Sequence, residues 1–122
     1  MLSLPSRLSL LTNEFEYELE RSTEFEIEFG TRSAEKGWAD LKATIRGALA
    51  DSWDFLTRTP TLVTPTNYRL KGALATVTRD GATFQRWQHK PTLKGDARIW
   101  FYVDGQKVIL EEVHTNHPNA TK

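Results

Sequence analysis

RIWFYVDGQKVILEEVH, residues 98–114, decides the fold. Asp104-Gly105 stands between two runs of aromatic and β-branched residues, and such a pair between strands signals a tight hairpin turn. With Asp104-Gly105 as the turn, Val103 faces Gln106, Phe101 faces Val108, Ile99 faces Leu110 and Arg98 faces Glu111. Ile99, Phe101, Val103, Val108 and Leu110 then share one face, which is expected to enter the core. The opposite face carries Arg98, Trp100, Tyr102, Lys107, Ile109 and Glu111, an odd mixture for a face that only meets water.

Upstream of this hairpin, YRLKGALATVTRDG (68–81) and ATFQRWQHKPTL (82–93) read as further strands, with Asp80-Gly81 marking another turn. The second half is therefore expected to be an antiparallel meander. Before it, TRTPTLVTPTN (57–67) cannot stay helical. From Ser33 the apolar residues Trp38, Leu41, Ile45, Ala48, Leu49, Ser52 and Leu56 recur at helical steps. Thr31 or Ser33 is the expected N-cap, and Thr44 with Gly47 predicts a break between two helices. Trp38 and Trp53 are expected in the core. EFEYELERSTEFEIEF (14–29) alternates with period two and predicts one bent strand or two strands broken near Arg21 and Ser22, its glutamates forming a solvated face. The expected architecture is α+β: an N-terminal strand, a helical hairpin, then the meander with the helices on one face of the sheet.

At 122 residues the chain suits one domain, expected over 13–118, with a flexible lead-in at 1–12 and a tail at 119–122. No apolar run reaches the roughly 20 residues that a membrane-spanning helix needs. The absence of cysteine suits a reducing cytoplasm. The net charge of zero hides an asymmetry: residues 1–57 carry 6 bases against 11 acids, and residues 58–107 carry 9 bases against 3 acids. A basic half within a neutral chain can present a positive surface to phosphates. Guanidinium groups suit phosphate and open aromatic rings suit bases, so the mixed hairpin face and Arg86-Trp87 before it point to nucleic acid. The competing reading is an Arg98–Glu111 cross-strand pair beside surface aromatics. An unperturbed imidazole titrates near neutrality, so His114 and His117 are candidates for proton transfer. With His89 they are a weak metal set, lacking cysteine and a helix to align them, and no metal, cofactor or small-molecule ligand is expected.

The YRLKG run at 68–72 and the Arg-hydrophobic-Tyr strand, turn and last strand of 98–114 resemble the RelE/ParE superfamily of bacterial toxin-antitoxin modules, over roughly residues 23–117. The resemblance implies a RelE-like fold and a cytoplasmic ribonuclease that inhibits translation by cutting messenger RNA on the ribosome without metal, under the control of a cognate antitoxin. Arg98 matches the strand arginine that contacts phosphate, Arg86 a basic middle-strand position, and His114 or His117 the catalytic end of the last strand. Lys71, Trp87, Lys90, Lys94, Trp100, Tyr102 and Lys107 are the implied RNA-binding residues. The superfamily's usual Gly-His-Arg ending is replaced here by VHTNHPNATK. Because the superfamily also holds gyrase inhibitors, the alternative is a non-catalytic protein-binding inhibitor or interaction module.

Overall fold

A computed structural model describes residues 24–116. The lead-in, the first part of the acidic stretch, His117 and the tail lie outside the described residues.

The decisive stretch forms β6 (Arg98–Asp104) and β7 (Lys107–His114), but its turn lies one residue later than expected. Asp104 pairs with Lys107 and Val103 with Val108, so Gly105 and Gln106 make the turn. Gly105 has φ +62°, as the first central position of a type II′ turn requires. Between the turn and Phe101 each β6 partner moves by two residues relative to the expected register, and a shift of two keeps the faces. Ile99, Phe101, Val108 and Leu110 are accordingly fully buried, with Val103 partly so. A bulge then interrupts the ladder: Phe101 pairs with Leu110 but Trp100 with Glu112, leaving Glu111 without a cross-strand partner. The extra residue reverses the phase of β7. Val113 turns into the core, and the expected Arg98–Glu111 pairing is replaced by Arg98 opposite His114.

β1 (Glu26–Phe29) runs parallel to β7, at the edge of the sheet. Its chain crosses back through α1 (Arg32–Thr44) and α2 (Arg46–Arg58). Thr31 is the N-cap, its Oγ1 accepting from the Ala34 amide at 2.9 Å and donating to the Glu111 carbonyl at 3.0 Å. One hydroxyl thus ties the helix start to the bulge. The expected break falls at Ile45, whose non-helical φ of −133° ends one helix and starts the next. Glycine costs about 1 kcal/mol in a helix interior, yet Gly37 sits inside α1 because that helix lies directly on β7. A Cβ there would collide with the Val113 carbonyl oxygen and come within 2.9 Å of the Val113 Cβ.

β2 (Asn67–Arg69), β3 (Thr76–Arg79), β4 (Ala82–Gln85) and β5 (Trp87–His89) complete the chain. The meander is not continuous. The main sheet has the order β1-β7-β6-β5-β2, antiparallel except at β1, while β3 and β4 form a separate hairpin closed by Asp80 (φ 52°) and Gly81 (φ 82°). Both helices pack on the inner face, where Ala34, Leu41, Leu49 and Leu56 meet Trp87, Ile99, Phe101, Val108 and Leu110. The β3–β4 hairpin lies over the outer face, with Phe84 stacked on Tyr102 at 4.7 Å. The described residues are therefore α+β, with two helices on one side of a mostly antiparallel sheet. No described helix is long and apolar enough to cross a membrane.

Candidate functional site

The outer face is not the open aromatic platform that alternation suggested. Trp100 and Tyr102 point outward as expected but are 4% and 8% exposed. The β3–β4 hairpin covers part of this face, and a polar chain crosses the rest: the Trp100 indole donates to Gln88 Oε1 at 2.8 Å, and Gln88 Nε2 donates to the Tyr68 hydroxyl at 2.9 Å. Burial raises the Tyr102 phenol above its ordinary value; Arg79 lowers it, and Glu111, Asp104 and Asp80 raise it further.

Glu111 is the centre of charge. The bulge aims this buried carboxylate at the hairpin, where it accepts from Arg79 Nη2 at 2.6 Å and from Arg86 at both Nε (2.9 Å) and Nη2 (3.1 Å). Arg86 also donates to the Leu74 carbonyl. Two guanidiniums on one carboxylate leave a net positive charge, and the Arg79 side chain is 48% exposed where the Arg86 one is 13% exposed. Arg79 is thus the more accessible of the two to an anion.

Trp100 links this cluster to the end of the hairpin. The Arg86 guanidinium lies 5.7 Å from its ring centroid, and the His114 ring meets it edge-on at 4.9 Å. His114 Nε2 is shielded from solvent and lies 3.0 Å from Glu112 Oε1 without making a hydrogen bond. Arg98, cross-strand from His114, does not reach outward. It is 7% exposed, and its Nη1 donates to the Gly95 and Ala97 carbonyls at 2.7 and 2.9 Å.

The other expected contacts disperse. Trp87 faces inward and stacks on Phe101 in the core, because β5 restarts after Arg86 with its own phase. Lys107 stands at the turn end, paired with Glu28 at 2.8 Å. It stands seven residue steps along β7 from His114, about 23 Å at 3.3 Å per residue. Lys71 and Lys94 are exposed in connections and Lys90 is half-buried after β5. Trp38 is only half-buried and Trp53 is 40% exposed, against the expectation of core positions. The structure joins Arg86, Trp100, Tyr102 and His114 into one patch and adds Arg79 and Glu111. Two sequence signals could have found these additions: the Glu111-Glu112 doublet breaks the alternation, and Arg79 directly precedes the Asp80-Gly81 turn.

A different constellation has the shape of a catalytic triad. Asn67 Nδ2 donates to the Pro60 and Leu62 carbonyls, so its Oδ1 is the acceptor for His89 Nδ1 at 3.0 Å. That tautomer leaves His89 Nε2 to accept from Ser52 Oγ at 2.9 Å. Nucleophile, base and orienting group are in line. All three are at least 96% buried, however, and burial lowers the His89 pKa to about 4. Without access for a substrate, this network is a satisfied core connection between α2, β5 and the loop before β2. No group of three or more metal-ligating side chains occurs among the described residues. The chain matches no family model, no curated protein and no solved structure.

Proposed function

We propose that the chain is a RelE/ParE-like toxin that cleaves messenger RNA on the ribosome, acts in the cytoplasm and is held inactive by a cognate antitoxin. One observation carries the reading: Arg86, Trp100 and His114 meet on the outer face beside the half-exposed Arg79. Metal-independent RNA cleavage needs groups that move protons, which an imidazole can do, and cations that offset the charge of the phosphorane. A base removes the proton of a ribose 2′-hydroxyl, the oxygen attacks the adjacent phosphorus, and the bond to the 5′-oxygen breaks. The products are a 2′,3′-cyclic phosphate and a 5′-hydroxyl, the latter protonated by an acid. His114 and His117 supply the base and the acid, with His114 Nε2 3.0 Å from Glu112 Oε1. Arg79 and Arg86 stabilise the phosphorane. Arg98 positions the end of β6 opposite His114 and leaves phosphate contact to those two.

Inducible expression of the full chain in a bacterium tests this. Growth arrest with new messenger-RNA ends is expected. His114→Gln and Arg79→Gln should restore growth, the imidazole alone being worth about 10² to 10⁴ in rate. Unchanged toxicity in both variants overturns the site. The non-catalytic reading is favoured by the burial of Trp100 and Tyr102, which leaves little ring surface for bases. It predicts arrest without new RNA ends, accompanied by a DNA-damage response.

A further inference from the structure

Arg86 is the switch point between the main sheet and the β3–β4 hairpin. Its carbonyl accepts from the Leu70 amide beside β2 at 3.0 Å, and its amide donates to the Ala75 carbonyl at the base of the hairpin at 2.8 Å. On the other side one 3₁₀ turn (Gly72–Leu74), entered at Gly72 with φ +64°, leads into β3. Directly paired residues share a face, so the register sets Val77 with Phe84 and Arg79 with Ala82 towards the sheet, and Thr78 with Thr83 away from it. Val77 is buried there, Phe84 stacks on Tyr102, and Arg79 reaches Glu111. A two-stranded hairpin is marginal alone, so its seat depends on these contacts. Glu111 does not depend on Arg79 in return: Arg86 bonds both of its carboxylate oxygens, while the half-exposed Arg79 reaches it through Nη2 alone.

We propose that the β3–β4 hairpin is a lid held shut by two stand-ins for RNA, and that single-stranded RNA holds it open. In the closed structure Glu111 offers Arg79 an anion, and Phe84 offers Tyr102 a flat ring tilted by 29°. A phosphate replaces the first contact and a base the second, because a guanidinium pairs with phosphate as it does with carboxylate and an aromatic face accepts any base. RNA gains the Tyr102 face only in the open form, which supplies the differential affinity that a shift between two states requires. Opening leaves Glu111 paired with Arg86, so no buried charge is stranded. It also uncovers ring surface that the closed hairpin hides. The choice of ligand rests on the ribonuclease reading, whereas the hinged hairpin does not.

The chain has no cysteine, so introduced thiols are unambiguous. In the full chain, nitroxide labels on Thr83→Cys in the lid and Asp51→Cys on α2, both exposed positions, report opening as a longer distance between spins. A short single-stranded oligoadenylate should lengthen that distance, and an RNA duplex of the same length should not. Phe84→Ala removes the ring that competes for Tyr102; it should lengthen the distance without RNA and tighten oligoadenylate binding at least five-fold, and adding Tyr102→Leu should abolish that gain. Oligoadenylate bound at an unchanged distance overturns the lid and leaves the ribonuclease reading in place. An equal response to the duplex, or no oligoadenylate binding by either the parent chain or Phe84→Ala, overturns single-stranded RNA as the ligand that opens it. The ribonuclease reading fails separately, through the absence of new messenger-RNA ends.

Discussion

The outer face and a groove on the helical side, lined by Phe29, Trp38 and Trp53, are each bordered by aromatic residues, and they exchange the roles that residue type suggests. Trp100 and Tyr102, flanked by bases, look like ligand-facing rings and are buried; Trp38 and Trp53, at helical spacing, look like core and stand partly open. Periodicity reports which side of an element a residue is on. Whether that side is covered depends on a different part of the chain, here the β3–β4 hairpin for one face and α2 for the other.

The largest effect separating the two regions is expected at Glu111. Its carboxylate is the only one bonded to Arg79 and Arg86 among the described residues. Glu111→Ala leaves the mostly buried Arg86 guanidinium uncompensated and releases the hairpin, at a cost of about 3 to 4 kcal/mol. Denaturant unfolding should show this, with the midpoint falling and Tyr102 becoming accessible. A loss below about 1 kcal/mol would mean that the hairpin rests on Phe84 and Tyr102 packing alone.

The two sides of the sheet also bury polar groups in opposite states, charged at Glu111 and neutral at His89. His89 has a pKa lowered to about 4 by burial, against about 6.5 in an unfolded chain. Its contribution is therefore fully present above pH 6.5. As pH falls from 6.5 towards 4 the unfolded state takes up a proton that the folded state refuses, and about 3 kcal/mol is lost. Stability measured between pH 7 and pH 4 should fall by about that much more in the parent chain than in His89→Gln.

The apolar pattern of the hairpin, the helical break and the Asp80-Gly81 turn are legible because each follows from local chemistry, whereas the Gly105-Gln106 turn reads one residue early. A register shift by two left the core set unchanged, so an error in the turn cost nothing at Ile99 or Leu110. The bulge was not legible from strict alternation. It moves Glu111 out of the ladder, turns Val113 inward and takes Arg98 away from its expected acidic partner. The candidate site was half legible for the same reason: Arg86, Trp100 and His114 were read from sequence, but their proximity depends on the bulge and on a hairpin leaving the main sheet at Arg86.

The tryptophans test the exchange of roles directly. Trp100→Phe removes the indole donor and leaves the buried Gln88 Oε1 without its partner, a loss of about 2 kcal/mol. Trp53→Phe keeps an aromatic against Trp38 at a partly open position and should cost about 1 kcal/mol or less. The reverse order would restore the reading in which Trp53 is core and Trp100 surface.

The smallest effect is expected at Lys107. Its pKa is raised by the hydrogen bond to Glu28 and by that residue's charge, yet both side chains are about half exposed. Water screens such a pair, and ordering two long side chains offsets most of the attraction. Lys107→Ala should lower the melting temperature by about 2 °C or less, and the difference should vanish in 1 M salt, where the screening length falls to about 3 Å. The parallel β1–β7 seam then rests on its backbone ladder and on Ile27, Val108 and Leu110 beneath it. A large, salt-resistant loss would instead make the Lys107–Glu28 pair the clasp of that seam.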